Sequence, residues 1–367
     1  MRQPTLPTRF FSRLKSRFPA LLFATVFLTG AFAATAPPTD APLGVLRRLS
    51  QRPVLSPQGT GWESAGTFNP AVTALPDKTG EKSAQDMLSG KIVMLYRAQD
   101  SAGTSRIGYA ESQDGIHFTR RPAPVLSPQA DYEKDGGVED PRLQKFGDTF
   151  YLMYTGYNKK DAQLCLATSP DLIHWQRKGV ILPAYKGNWN VGWTKSGAIV
   201  PQKIGGKYWM YWLGTAADKT DQMGLSYSDD LIHWTEATET PVLPRRPGNF
   251  DSRVVEPGPP PIITDRGILL IYNGADDHLV YRTGVAIFDR ADPRKVIYRS
   301  EQPLFAPEKE WEKIGQVPNV VFVEGLLPRE ETFFEHGANG LKPRRQSLLF
   351  YYGAADKYIG VAEAALN

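Results

Sequence analysis

A turn sequence recurs three times at nearly equal spacing, and it constrains the fold more than any other feature. Ser112-Gln113-Asp114-Gly115-Ile116-His117-Phe118 returns as Ser169-Pro170-Asp171-Leu172-Ile173-His174-Trp175, and again as Ser228-Asp229-Asp230-Leu231-Ile232-His233-Trp234. Asp114, Asp171 and Asp230 are 57 and 59 residues apart. A second series keeps step with the first. Lys91–Arg97, Thr149–Thr155, Lys207–Trp212, Ile268–Asn273 and Ser347–Tyr352 are short aromatic and β-branched runs. Runs of this kind bounded by Gly, Asp and Pro read as strands. Tyr96, Tyr154, Tyr211, Tyr272 and Tyr351 are taken as the matched positions, and a polar insertion, Arg329–Arg345, accounts for the longer last interval. Five strand-rich repeats of about 60 residues predict an all-β chain folded as a five-bladed β-propeller, each blade a four-stranded sheet with its inner edge near the axis. A β-sandwich would not predict the fivefold register, and no amphipathic helix of useful length is visible.

The first 35 residues read as a secretory signal peptide. Arg2, Arg9, Arg13, Lys15 and Arg17 precede the uncharged apolar run 19–32, and Ala31-Phe32-Ala33 supplies a small-x-small cleavage signal. The run is short for a membrane span. Residues 36–60 are then a lead-in, and 61–367 the propeller. The whole chain has 43 basic and 39 acidic residues, and removing those five basic ones leaves 38 against 39. Nothing electrostatic points to nucleic acid, or to a membrane once the signal is cleaved. The expected location is secreted or periplasmic. Cys165 is the only cysteine, so no disulfide forms within the chain, and it reads as a small buried apolar residue. His117, His174 and His233 share one turn position and are expected to be structural. No His/Cys cluster has metal-ligand spacing, so neither metal nor cofactor is expected.

In a propeller the innermost strand of each blade begins at the mouth of the axial channel. By register those starts are Phe68-Asn69-Pro70, Glu139-Asp140-Pro141, Thr194-Lys195-Ser196, Val255-Glu256-Pro257 and Pro318-Asn319-Val320. Residues following the matched tyrosines form a second ring: Arg97, Thr155, Trp212, Asn273 and Tyr352, with Asp356 four further on. Side chains alternate along a strand, so only one of Glu139 and Asp140 is expected in the cavity. Carboxylates and amides hold sugar hydroxyls, and Trp or Tyr can cover a sugar face. An acid that protonates the leaving oxygen, with a separated base for water, makes an inverting glycosidase. Asp140 and Glu256 are the pair available. The plainer readings are a polar turn at Glu139-Asp140-Pro141-Arg142 and a turn cap at Glu256 before Gly258-Pro259-Pro260-Pro261.

These residues carry a resemblance. Phe68-Asn69-Pro70-Ala71, Leu95-Tyr96-Arg97, Val138-Glu139-Asp140-Pro141-Arg142, Lys195-Ser196-Gly197-Ala198, Gly258-Pro259-Pro260-Pro261, Asn319-Val320-Val321-Phe322 and Tyr352-Gly353-Ala354-Ala355-Asp356 occur in order. Together they resemble glycoside hydrolase family 130, the mannoside phosphorylases and mannosidases. The resemblance implies a five-bladed propeller acting on β-mannosides with inversion. It also implies Asp140 as the proton donor, with Asn69, Arg97 and Asp356 holding mannose. An acid in that role is expected to have a raised pKa.

The family divides by what attacks the anomeric carbon. Its phosphorylases hold inorganic phosphate with Arg, Lys and His, whereas its hydrolases use carboxylates to activate water. Trp212, Asn273 and Glu256 stand here where the phosphorylases carry basic residues, and a carboxylate repels phosphate. The reading is therefore an exo-acting β-mannosidase, with β-1,2 linkages favoured. Asp140 is the acid, Glu256 the base, and Glu301 or Glu308 a second glutamate. Lys195 and Arg253 keep a phosphorylase, with phosphate as co-substrate, as the alternative. A non-catalytic sugar-binding propeller is the third reading. The sequence leaves linkage, chain length, oligomeric state and the role of the insertion open.

Overall fold

The computed structural model describes residues 41–75, 90–331 and 345–367. The segment read as a signal peptide, and nearly all of the Arg329–Arg345 insertion, lie outside the described residues. The chain is all-β, and its only helical pieces among the described residues are the short turns Asp131–Glu133 and Glu310–Lys313.

The strands form five successive antiparallel groups. The first contains Gly66–Leu75, Lys91–Gln99, Ser105–Ser112 and Thr119–Arg120. The second contains Gly137–Phe146, Thr149–Tyr157, Ala162–Ser169 and Gln176–Leu182. Thr194–Ile199, Tyr208–Thr215, Asp221–Ser228 and Thr235–Glu236 make the third. The fourth has Val254–Pro257 and Ile262–Thr264 on one edge of Gly267–Ala275, then Tyr281–Phe288 and Val296–Arg299. The fifth has Val321–Glu331, Arg345–Ala354 and Tyr358–Ala365, and its outer strand is Arg47–Arg48 from the start of the chain. The lead-in is thus not loose: Leu43 bridges Leu366 and Leu55 bridges Ile359.

Central strands such as Gly267–Ala275 are buried along their whole length, because each sheet has a neighbour on both faces. A hydrophobic core lies between each successive pair of groups. A further core joins the last group to the first, with Ile92 and Met94 against Leu349 and Tyr351. That apolar burial, at about 25 cal/mol per Å², is the main stabilising term in a chain without disulfides.

The recurring turns are built as their spacing suggests. In each, the Asp Oδ1 accepts two backbone N–H groups and its Oδ2 lies 2.6–2.7 Å from the His Nδ1. The three histidines are exposed turn residues. Cys165 is buried, and burial pushes its thiol up to about 12.

The strand register corrects one expectation. Tyr96, Cys165's partner Tyr154, and Tyr272 sit at one equivalent position, but the third and fifth members are Trp212 and Tyr352, not Tyr211 and Tyr351. Tyr96, Trp212, Tyr272 and Tyr352 each face a glycine across the ladder, namely Gly108, Gly224, Gly284 and Gly360. A Cβ on Gly360 would stand 2.3 Å from the Tyr352 ring, so only glycine fits there. The runs Met210-Tyr211-Trp212 and Phe350-Tyr351-Tyr352 each carry two consecutive aromatics, and sequence alone does not say which faces the glycine.

Candidate active site

The first strand in each of the first three groups is not regular β-structure throughout. The pairing shifts register between Phe68 and Pro70, between Glu139 and Arg142, and between Lys195 and Ala198. Asn69, Asp140 and Ser196 occupy those bulges with φ of 49°, 51° and 61°, and Asn319 and Asp356 have φ of 61° and 50°. Left-handed backbone at a non-glycine residue costs on the order of 1–3 kcal/mol, and such strain clusters at functional sites. Bulges re-aim side chains.

The bulge overturns the alternation argument. Both Glu139 and Asp140 reach the same arginine: Arg97 donates from Nη2 to Glu139 Oε1 (2.6 Å) and from Nη1 to Asp140 Oδ1 (3.0 Å). The left-handed turn at Asp140 cancels the half-turn that would have separated them. Asn69 Nδ2 donates to the same Asp140 Oδ1 at 2.8 Å. Among the described residues Asp140 Oδ2 makes no hydrogen bond, so it is the oxygen left for a ligand. Arg97 is held from behind by the Ser105 hydroxyl and by the Phe68 ring, 4.6 Å from its guanidinium carbon.

Glu256 comes from the fourth group, buried on the strand Val254–Pro257. It accepts a hydrogen bond from the Ser196 hydroxyl and lies 3.4 Å from Lys195 Nζ. Arg142, wholly buried, ties the two halves together. Its guanidinium donates to the carbonyls of Pro257 (2.9 Å), Gly258 (3.2 Å) and Asp140 (3.2 Å). It also lies 3.3 Å from Glu324 and 3.9 Å from Glu256.

The electrostatics differ from expectation at Asp140. Burial works to raise its pKa, but the charges of Arg97, Lys195 and Arg142 outweigh burial and hold it at about 2. Asp140 is therefore ionised, and its pKa is lowered where a raised one was expected. Burial pushes Asp356 the other way, to about 6, with Arg97 opposing and Asp140 reinforcing the shift. Burial also pushes Glu324 well above the usual carboxylate range, against the pull of Arg142. Lys195 stays charged: burial disfavours its ammonium, but Glu256 and then Asp140 more than compensate.

Of the residues singled out from the sequence, Asn69, Arg97, Asp140, Lys195, Glu256 and Asp356 converge. Trp212 does not. Its ring is fully buried against Trp189 (centroids 5.4 Å apart), on the face that packs between the second and third groups. Asn273 is also withdrawn, since its amide exchanges hydrogen bonds with the backbone N–H and C=O of Val323. Glu301 and Glu308 are exposed and pair with Arg246 and Arg48, away from Glu256. Sequence reasoning overlooked the acid that does adjoin the site, Glu324. Its signal was available: it is the one charge in the apolar stretch Val320-Val321-Phe322-Val323-Glu324-Gly325-Leu326-Leu327.

The strand ends thus bring together a cluster of carboxylates held by Arg97, Arg142 and Lys195, and comparison with known proteins identifies the class. The model of glycoside hydrolase family 130, described as beta-1,4-mannooligosaccharide phosphorylase, matches residues 46–367, and the chain belongs to this family. It is similar to a 1,2-beta-oligomannan phosphorylase of Thermoanaerobacter sp., at 38% identity over 86% of this chain and 96% of the relative. A beta-1,2-mannobiose phosphorylase of the same organism is 33% identical with the same coverage. Among solved structures, a putative glycosidase from Bacteroides thetaiotaomicron superposes with a TM-score of 0.72 at 36% identity, covering 87% of this chain and 96% of that one. Another comes from work on family members that are glycoside hydrolases targeting beta-1,2 mannosidic linkages in Candida mannan. It has a TM-score of 0.72 at 35% identity, covering 89% and 95%. The family consists of enzymes acting on mannosides.

Proposed function

We propose that this protein cleaves β-mannosides, β-1,2-linked ones first, by an inverting hydrolysis on a five-bladed propeller whose blades are the five strand groups. The observation that carries hydrolysis is Glu256. It is a buried carboxylate carried by a different strand group from Asp140 and linked to it through Arg142, and so is available to activate the attacking water. Glu256 stands beside Lys195 and Arg142 and occupies two of the cations that would otherwise be free to hold a phosphate dianion. Lys195 and Ser196 hold Glu256 in place as the base, and Asp140 Oδ2 is open to receive the sugar.

Asp140 is a carboxylate in this structure, so acid catalysis requires it to take up a proton when substrate binds, and a sugar that displaces water from beside it works in that direction by adding to its desolvation. Arg97 and Asn69 orient Asp140 throughout.

Phosphorolysis is the second reading, and the relatives support it more than they support hydrolysis. The curated relatives at 38% and 33% identity are both phosphorylases. Lys195 is at the site, and the exposed Arg253 guanidinium, three residues from Glu256, forms no ion pair among the described residues. One assay separates the two readings. The protein is incubated with β-1,2-mannobiose with and without phosphate, and the products are followed by NMR. Free mannose in phosphate-free buffer, appearing first as the α-anomer, is the expected result. Mannose 1-phosphate formed only with added phosphate overturns hydrolysis. Export is proposed with the N-terminal segment, and N-terminal sequencing of protein from the medium or periplasm tests it: a mature start near residue 34 is expected.

A further inference from the structure

Beside the site lies an aromatic surface that the chemistry at Asp140 and Glu256 does not use. We propose that Tyr157, Trp193 and Tyr185 form a stacking subsite for the part of an oligosaccharide chain beyond the two sugars flanking the reacting bond. The inference rests on the proposed action on β-mannosides and adds a preference for chain length.

The surface is continuous with the site on both sides. Tyr157 ends the strand Thr149–Tyr157 and pairs with Gly137, three residues before Asp140. It packs on Gly136, where an added Cβ would come within 2.5 Å of the Tyr157 ring. Trp193 meets Tyr157 edge-on at 5.9 Å and stands two residues before Lys195. The Tyr185 hydroxyl donates to Asp161 at 2.9 Å, with Trp193 beside it. The aromatic row therefore starts at the entrance of the Asp140 strand and crosses to the entrance of the Lys195 strand.

Two features argue against incidental exposure. Trp193 is 38% exposed and Tyr185 55%, large apolar areas to leave in water. Tyr185 is also held in left-handed backbone (φ 63°), which an aromatic residue adopts only under constraint. The constraint is visible. The Tyr185 N–H donates to the Gly192 carbonyl (2.7 Å), the Val191 N–H to the Thr215 carbonyl (3.0 Å), and the Thr215 N–H to the Trp193 carbonyl (3.2 Å). Rigid aromatic faces edged by a carboxylate fit a neutral sugar chain, which offers C–H faces for stacking and hydroxyls to Asp161.

The test compares mannobiose with a β-1,2-mannotetraose. Binding is measured by calorimetry on the Asp140→Asn background, so it does not depend on turnover. The tetraose is expected to bind about tenfold more tightly than the disaccharide. Trp193→Ala and, separately, Tyr185→Gly should erase most of that ratio, and Trp193→Phe should keep part of it. Glycine adopts φ above zero freely, so Tyr185→Gly removes the ring without burdening the fold. A length advantage that survives both removals, or none in the parent, overturns the subsite. In a parallel arm, absence of any mannoside cleavage by the parent overturns the proposed activity, while the binding ratio still decides the subsite. Equal loss of affinity for both ligands in the ring-removal variants also overturns it, because a distal subsite acts on the longer chain alone.

Discussion

Four of the five strand groups are fastened by the same ion-paired clamp, and the third lacks it. In the first, Tyr96 donates to Glu63, which also receives Arg120. The second has Tyr154, Glu133 and Arg177, the fourth Tyr272, Asp251 and Arg299, and the fifth Tyr352, Glu312 and Arg48. Each clamp fixes the loop leading to an innermost strand against the middle of its own sheet. The ladder places Arg120, Arg177, Arg299 and Arg48 at one equivalent position, where the third sheet has Glu236. There the tyrosine is Trp212 and Asn190 follows Trp189 where the other loops carry the acid, so the ion pair is lost while the ring stack, shared with Trp62–Tyr96, Phe250–Tyr272 and Trp311–Tyr352, remains. Glu236 instead accepts the backbone N–H of Asn188. The lesson is that the repeat builds the scaffold while departures from it carry the chemistry. The third sheet's altered loop is the one that presents Tyr185 and Trp193 and leads into Lys195 and Ser196.

That contrast predicts different penalties for residues of the two kinds. The largest effect belongs to the departures: Glu256→Gln and Asp140→Asn should each lower kcat by about 10³-fold or more with little change in Tm. A Glu256→Gln enzyme that keeps its phosphate-independent rate would remove Glu256 as the base. Next come the clamps. Glu133→Gln leaves Arg177 and Tyr154 facing a neutral group in a buried site and should cost about 3 kcal/mol in urea denaturation. Glu236→Gln at the equivalent place in the third sheet should cost under about 1 kcal/mol, since only a part-exposed hydrogen bond weakens. Equal costs would mean that the two fastenings are equivalent after all.

Trp189→Ala removes the stack and should cost about 3 kcal/mol. The loop it anchors carries Tyr185 and Trp193, so discrimination by chain length should fall along with stability. Loss of stability alone would uncouple the stack from the platform.

A pH-dependent effect is expected at Asp356. Its folded pKa of about 6 lies above the ordinary aspartate value of 3.8. The folded state thus binds the proton more tightly, so this group's stabilising contribution is present below pH 4 and lost as pH rises through 6. Asp356→Asn should therefore stabilise the protein by on the order of 1–2 kcal/mol at pH 8 and leave it nearly unchanged at pH 4. The same variant should bind mannosides poorly. Stabilisation that is equal at both pH values would show that the charge is not its source.

The five repeats, the all-β class and the six convergent site residues were legible in the chain, because they depend on periodicity and on short motifs that keep their neighbours. The His–Asp turns were legible for the same reason: every partner lies within three residues. What escaped the sequence depended on where distant backbone goes. Alternation put Glu139 and Asp140 on opposite faces, and a bulge with left-handed backbone brought them to one arginine. Two adjacent aromatics hid the register of Trp212 and Tyr352 until glycine across the ladder chose between them. Glu324 belongs to the site only because Arg142 crosses from the second sheet to meet it. Local pattern determined which strands form and which residues stand at their ends. Tertiary structure decided which side chains share a cavity, since that rests on bulges, cross-strand space and buried charge between groups far apart in the chain.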